Sequence, residues 1–387
     1  MEAVKIRWHH AMAEIPKAAW DRLAEPLETP LLEWTWLHEL EASGSIAPAN
    51  GWHPRHLTAW RGERLVGGVP LYLKQHSQGE FVFDQWWARW AAQAGIAYYP
   101  KMVGMSPATP AVGYRFLIDE GPEGADVQEE MLQAIDTYCT SRGIAGLHLL
   151  FVDPQWRATL SDRDFLAWHH QSFLWRNHGC RSFDDYLRPF KSIQRRNIRR
   201  ERSRIRQAGL VFQALSGDRI DPAWADTMFD YYLNTNAQYG PWAARYLNGE
   251  FFRGIFNRYR HRLLLMAACK PEAGDRPVAL SLLMHKGNQL IGRYWGSAET
   301  IKDLHFSMCF YEPIQWAIDR GIRSFDPGAG SAHKLYRGFE AVANTSLHRF
   351  YEPNLRLLFQ RFIGSINEVE LANIAAMNLQ LPFAARS

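Results

Sequence analysis

At 387 residues the chain is too long for one ordinary core, so two domains are the default expectation. Its composition, 47% hydrophobic and 22% charged with 16 Trp, excludes a disordered or low-complexity protein. A formal net charge of only +4 excludes a protein that coats nucleic acid over its whole surface.

Cys139, Cys180, Cys269 and Cys309 are widely separated with no CxxC pair, so a disulfide framework or structural zinc is not expected and reduced cytoplasmic thiols are. The opening MEAVKIRWHHAMAEIP lacks the apolar centre of a signal peptide. The longest apolar run, LLLMAAC (263–269), has the length of a strand and not of a membrane span.

In chain order, HLTAWRGERLVGGVPLYLK (56–74) alternates around Arg61-Gly62-Glu63-Arg64 and predicts strand, turn, strand. Residues 97–118 hold extended apolar pieces broken by Pro100, Pro107 and Pro110. Over 126–142, Val127, Met131, Ala134 or Ile135, and Tyr138 line one helical face, and Gly143 occupies the C-cap position. A strand follows at 144–152, and a turn with a short helix at 153–168 marks the domain boundary. The second half repeats the order. Residues 263–283 predict strand, turn, strand; 289–297 another strand; 304–320 a helix kinked at Pro313; Gly321 its end; and 322–326 a strand. Arg142-Gly143-Ile144 matches Arg320-Gly321-Ile322 at the same junction. The repeated order predicts an internal duplication, each half a mixed sheet with a parallel pair around a crossover helix.

Between the halves, Lys191 to Arg206 carries eight basic residues and one acid, Glu201, a local +7 that leaves −3 on the remainder. No Pro or Gly interrupts 191–208, so a helix is expected. On it Arg195, Arg199, Arg202 and Arg206 share a face, Arg196, Arg200 and Arg204 lie beside it, and Ile198 and Ile205 form a narrow apolar line. Two readings stand. One is a solvated face neutralised by acids from elsewhere. The other is a phosphate seat, favoured because Arg outnumbers Lys seven to one and guanidinium grips phosphate in a bidentate fork. No helix-turn-helix spacing or zinc motif accompanies the run, so duplex DNA is not an expected partner.

Several stretches carry a resemblance to a known group: GWHPRHL (51–57), PLYLKQHSQGEFVFD (70–84), YYPK (98–101), SFDDYLRPFKSIQRRNIRRER (182–202), GRYWG (292–296), LHF (304–306) and HKLYRGFE (333–340). With the doubled element order, the chain resembles the Fem-type tandem GNAT acyltransferases, specifically the N-acyltransferases labelled peptidoglycan biosynthesis or recognition proteins. The resemblance implies an α/β (α+β) fold of two tandem GNAT-like domains, each a mixed, mainly antiparallel sheet flanked by helices. The expected bounds are 1–165 and 166–350, with a tail at 351–387 packing back on the N-terminal domain. It implies acyl transfer to an amine on a small molecule or cell-wall precursor. The donor would be aminoacyl-tRNA or acyl-CoA, a substrate and not a permanently bound cofactor, with tRNA as a partner in the first case.

Three departures stand out. Ser307 follows His305-Phe306 where the resemblance leads one to expect a carboxylate; Ala332 in GAGSAHK (328–334) replaces another acid; and NAQYGPW (236–242) replaces an Arg-Lys-Trp-Gly pattern. They leave open a non-catalytic GNAT pair that binds a phosphate-rich ligand.

Amine acylation needs a neutral amine, a polarised carbonyl and a protonated leaving group. The densest supply of suitable groups is GRYWGS…DLHF…SFDPGAGSAHKLYRGFE. From it Asp326, Lys334, His305 and His333 are the candidate catalytic residues. Lys191, Arg195, Arg196, Arg199, Arg202, Arg293, Tyr294, Trp295, Tyr336 and Arg337 are the candidate substrate and phosphate contacts. Asp326 as a plain helix cap and His305 as a plain N-cap histidine are the bland alternatives. The letters Arg293-x-x-Gly296-x-Ala298 fit a CoA pyrophosphate loop but end a strand before the helix begins. His169, His170 and His178 are not read as metal ligands, because a strand turns 169 and 170 to opposite faces.

Overall fold

The computed structural model describes residues 2–240, 243–270, 276–330 and 332–384. The expected turn at 271–275, Pro241 and Trp242 of the NAQYGPW stretch, and Ser331 lie outside the described residues. The chain forms two compact units, 1–170 with 343–371, and 171–342 with 372–387.

In the first unit, Lys5–His9, His56–Arg61, Arg64–Val69 and Leu117–Ile118 form an antiparallel sheet. Arg61 faces Arg64 across the predicted turn. At Pro70 the second hairpin strand leaves this sheet and resumes as Tyr72–Lys74, which pairs with Lys101–Gly104. Lys101–Gly104 runs parallel to Gly146–Leu149, and the helix Gly124–Ser141 makes the crossover. Residues 347–350, near the chain's other end, add the last antiparallel strand. The lysines of PLYLK and YYPK, Lys74 and Lys101, are fully buried. Lys101 Nζ donates to Glu80 Oε2 (2.7 Å), Asp84 Oδ2 (2.5 Å) and Ser77 Oγ (2.8 Å). Lys74 sits 3.2 Å from the centre of the Trp52 ring. Burial pushes the Glu80 carboxyl up to about 7 and pulls the Lys74 amine down to about 7.

The second unit repeats this order of strands and directions. Val211–Ser216, Leu263–Cys269, Ala279–Lys286 and Gln289–Ser297 run antiparallel. Ser324–Asp326 pairs parallel with Gln289–Ile291, and Trp175 and Arg176 pair antiparallel beside Ser324–Asp326. The predicted 304–320 helix is built in three parts, Leu304–Phe306, a π-helical turn at Ser307–Tyr311, and Glu312–Asp319. The wide turn precedes Pro313, whose missing N–H the ladder must absorb.

Both crossover helices end in the same Schellman arrangement. Ile144 N–H bonds Cys139 O (3.0 Å) and Ile322 N–H bonds Ala317 O (2.9 Å). Gly143 and Gly321 stand at φ +62° and +66°, where a Cβ is strained. The matching junction seen in the letters is therefore a matching backbone conformation.

One face of the second sheet is covered by the predicted basic helix, observed as Ser192–Gln207, and by Glu312–Asp319. Ile198 and Ile205 are fully buried in a cluster with Leu264, Met266, Leu283, Leu290 and Phe325. Burial of each contributes about 2 kcal/mol, enough to anchor a helix whose outer face stays in water. On the other face Tyr294 packs against Tyr232 and Phe252, from helices Trp224–Ala237 and Gly249–Arg258. The residues expected as a tail form a helix, Pro353–Asn378, of which 353–371 belongs to the first unit and 372–378 to the second.

Two glycine substitutions should differ sharply. Gly321→Ala is expected to cost about 1 kcal/mol for its left-handed backbone. Gly296→Ala should cost several times more, because its Cβ would lie 2.0 Å from the Tyr231 carbonyl oxygen. Urea unfolding of both variants checks the ranking, and equal costs would contradict it.

Candidate functional site

The strands Gln289–Ser297 and Ser324–Asp326 stay paired only as far as Ile291 and Asp326. Beyond that point they part. The parting coincides with a bulge: Leu283 faces Gly292 and Leu282 faces Tyr294, so Arg293 is the extra residue. The two backbones close at the base of the notch, where a Cβ on Gly328 would sit 2.9 Å from the Gly292 carbonyl oxygen. Past the bulge Tyr294 turns to the aromatic layer around Tyr232, and Trp295 turns to His305, with ring centres 5.0 Å apart.

Lys334 lies on a short 3-10 helix, Ala332–Arg337, and is 2% exposed. Its Nζ donates to the carbonyls of Gly328 (2.5 Å) and Ala329 (2.9 Å). Burial pulls the amine from 10.5 down to about 8; the Asp326 carboxylate, and after it Cys309, hold it from falling further. Asp326 is half-buried, and its Oδ1 accepts the Gly328 N–H at 2.8 Å. The carboxylate therefore caps its own turn. Burial raises its pKa, opposed by that N–H, Lys334 and Arg293. Phe325 belongs to the layer containing Ile198, so strand alternation turns Asp326 away from the basic helix.

His305 and His333 come together, their ring centres 5.9 Å apart, among Phe306 and Phe310. Burial, then the charges of His333, Arg337 and Lys334, lower His305 to about 4. Burial, Arg337 and Lys334 lower His333 too. His305 is thus a neutral imidazole at pH 7. Cys309 is pushed up to about 12 by burial, so its thiol is no nucleophile. Ser307, at the position expected to carry an acid, is fully buried.

Arg337 holds this group together. Its guanidinium stacks 3.4 Å from the Phe306 ring centre, and its Nη2 donates to Glu201 Oε2 at 3.2 Å. Glu201 also accepts the Tyr311 hydroxyl. The Tyr336 carbonyl accepts Gln194 Nε2 at 2.7 Å, while the Tyr336 ring is exposed. The segment carrying Lys334 is thereby latched to the basic helix at two points. Sequence reasoning passed over Glu201 and Tyr311; the single acid in a +7 run was the available signal.

The basic helix divides in two. Arg202, largely buried, pairs with Glu312 (3.0 Å) and stacks 3.9 Å from the Phe183 ring centre. Arg204 pairs with Asp303, and Arg195 Nη1 donates to the Phe190 carbonyl (2.5 Å). Arg199 meets Asp184 at 2.9 Å where both are exposed, a pair of little worth in water. Lys191, Arg196, Arg200 and Arg206 are exposed on the outer face, Arg200 bonding only Asn197 of its own helix. The face open to an anion is thus Arg196, Arg199, Arg200 and Arg206, whereas Arg195 and Arg202 hold protein groups. His169 bonds Thr345 Oγ1 (3.0 Å), His170 bonds Ser346 Oγ (2.8 Å), and His178 lies exposed near Glu340. Among the described residues no group of three His, Cys, Asp or Glu is placed to hold a metal ion.

A mixed sheet with a parallel pair around a crossover helix, built twice in one chain and splayed beside a bulge in the second unit, defines a tandem GNAT-like fold. The chain belongs to the FemAB-like family, peptidoglycan biosynthesis/recognition, which it matches over residues 11–385. None of the curated proteins matches it. Among solved structures it is similar to FemX, with 12% identity and TM-score 0.56 over 91% of this chain and 99% of that one. It is also similar to L-PGS from Bacillus licheniformis, with 11% identity and TM-score 0.52 over 90% of this chain and 97% of the other. At such identities the likeness is one of fold.

Removing the latch should be costly. Glu201→Ala leaves the Arg337 guanidinium, 6% exposed, without its carboxylate. A loss of about 3 kcal/mol in chemical unfolding is expected, and a loss within 0.5 kcal/mol of zero, the range of an ordinary surface change, would contradict the latch.

Proposed function

We propose that the chain is an N-acyltransferase of the second-unit notch, moving an acyl or aminoacyl group from aminoacyl-tRNA or acyl-CoA to an amine acceptor, a cell-wall precursor among the candidates. The observation that carries the reading is Lys334, a buried amine lowered to about 8 beside the parted strands. The acceptor nitrogen attacks the donor carbonyl carbon, and the ester or thioester bond to the leaving group breaks. Backbone N–H groups lining the parted strands supply oxyanion stabilisation. His333, a neutral half-buried imidazole, takes the proton of the attacking amine, with His305 behind it. The Lys334 ammonium gives its proton to the leaving oxygen or sulfur, and Asp326 keeps that ammonium populated. Donor phosphates rest on the outer guanidiniums, Arg196, Arg199, Arg200 and Arg206. Tyr294, Trp295 and Tyr336 act as walls. Such donors belong to the cytoplasm, and the reading includes that compartment.

A second reading, a GNAT pair that binds but does not catalyse, is favoured by one observation: Lys334 Nζ already donates to two carbonyls. Mass spectrometry of small molecules and RNA that copurify with the protein identifies the donor, and a transfer assay then separates the readings. Because Lys334 is buried and bonded, Lys334→Ala would disturb the fold as well, so Lys334→Met is the better variant. It should lower turnover by roughly 10² or more, and wild-type turnover should fall as pH rises through about 8, where the ammonium is lost. Arg196→Gln/Arg200→Gln/Arg206→Gln should weaken the donor and flatten its salt dependence. Full activity in Lys334→Met, or no transfer with any copurifying donor, overturns the proposal.

A further inference from the structure

A helix in the first unit carries its aromatic residues on the wrong side. On Gln85–Gln93, Trp87 and Ala91 are buried, Trp87 stacking on Phe359 with ring centres 4.3 Å apart. The opposite face should then be polar. Instead Phe83, just before the helix, is 71% exposed, Trp86 62% and Trp90 37%. The patch continues onto Pro353–Asn378, where Trp90 meets Phe362 at 5.7 Å and Leu357 is 63% exposed.

The charged side chains lying over the rings of this patch are both arginines. Arg89 is exposed and lies over Trp86, and Arg361 is exposed and lies over Phe362. No acid occurs between Gln85 and Ala97 or between Asn354 and Asn367, in a chain with 40 acids overall. Asp84, the nearest in sequence to the first run, is buried and bonded to Lys101 and Tyr98, and Asp164 is taken up by Arg356 of the second run. An ordinary water-facing helix mixes both signs. Exposed Trp and Phe beside Arg, without Asp or Glu, is the composition that settles at the head-group level of a bilayer. A second copy would bring like charges face to face, so charge favours an anionic partner.

We propose that this face docks the protein on an anionic lipid bilayer, with Phe83, Trp86 and Trp90 at head-group level and Arg89 and Arg361 on the lipid phosphates. The docking is peripheral: no helix among the described residues is long and apolar enough to cross a membrane. The inference is independent of the transfer chemistry, since none of these residues takes part in it.

The test is cosedimentation of the full chain with vesicles of phosphatidylglycerol and phosphatidylcholine, beside vesicles of phosphatidylcholine alone. Binding should be about tenfold or more weaker on the neutral vesicles and should fall with salt. Phe83→Ser/Trp86→Ser changes only exposed rings, so it should keep the melting temperature while losing binding by about tenfold or more. Arg89→Glu/Arg361→Glu should abolish the preference for the anionic lipid. Absence of vesicle binding overturns the proposal. So does undiminished binding of the Phe83→Ser/Trp86→Ser protein, which would assign any lipid affinity to the arginine helix. A concentration-dependent dimer lost in that variant would make the face a self-association surface and equally overturns it.

Discussion

The second unit turns on one carboxylate. Glu201 is the lone acid among eight bases between Lys191 and Arg206, and it points inward. Its two oxygens take the Arg337 guanidinium and the Tyr311 hydroxyl, so one side chain joins the basic helix, the π-helical turn and the segment bearing Lys334. Arg337 in turn presses on Phe306 and adds positive charge beside His305 and His333. Burial lowers both imidazoles, and the Arg337 charge adds to that lowering. A buried pair of this kind is a poor source of net stability compared with apolar packing, but breaking it is expensive. Its value here is in position.

That position matters because the notch itself has little to hold a loop. The strands part after Ile291 and Asp326, and Pro327 to Gly330 gain their fixed path from Asp326 capping Gly328 and from Lys334 reaching back to two carbonyls. Both sets of contacts are short-range, and those from Lys334 depend on the 3-10 helix staying docked. The amine responsible for order in the loop is also the one whose acidity suits proton transfer near neutral pH. Structure and chemistry draw on the same desolvation.

Much of the fold was legible because its determinants are local. The turn at Arg61–Arg64, the apolar stripe of the first crossover helix, and the left-handed glycines 143 and 321 each need only neighbouring residues to act. The strand Glu340–Phe350 escaped the reading for the opposite reason. EAVANTSLHRF (340–350) looks too polar for a core strand, yet Thr345 and Ser346 are buried because His169 and His170 meet them from 176 residues away, and His348 meets His148 from 200 away. The site was legible in part. The cluster of His305, His333, Lys334 and Arg337 was visible from spacing. Which arginines are open was not: Arg199, Arg202 and Arg204 meet acids at separations of 15, 110 and 99 residues. Helical periodicity placed these side chains correctly but says nothing of a partner on another element.

The central claim is that the Glu201 latch holds Lys334 as a buried amine of lowered pKa. Titration of Lys334 by NMR, with isotope-labelled lysine and assignment by loss of the signal in Lys334→Met, measures it most directly. The account predicts a midpoint near about 8 in the wild type, moving toward 10.5 in Glu201→Ala as the segment opens to water. A wild-type midpoint already near 10.5, or one that Glu201→Ala leaves unmoved, would contradict it.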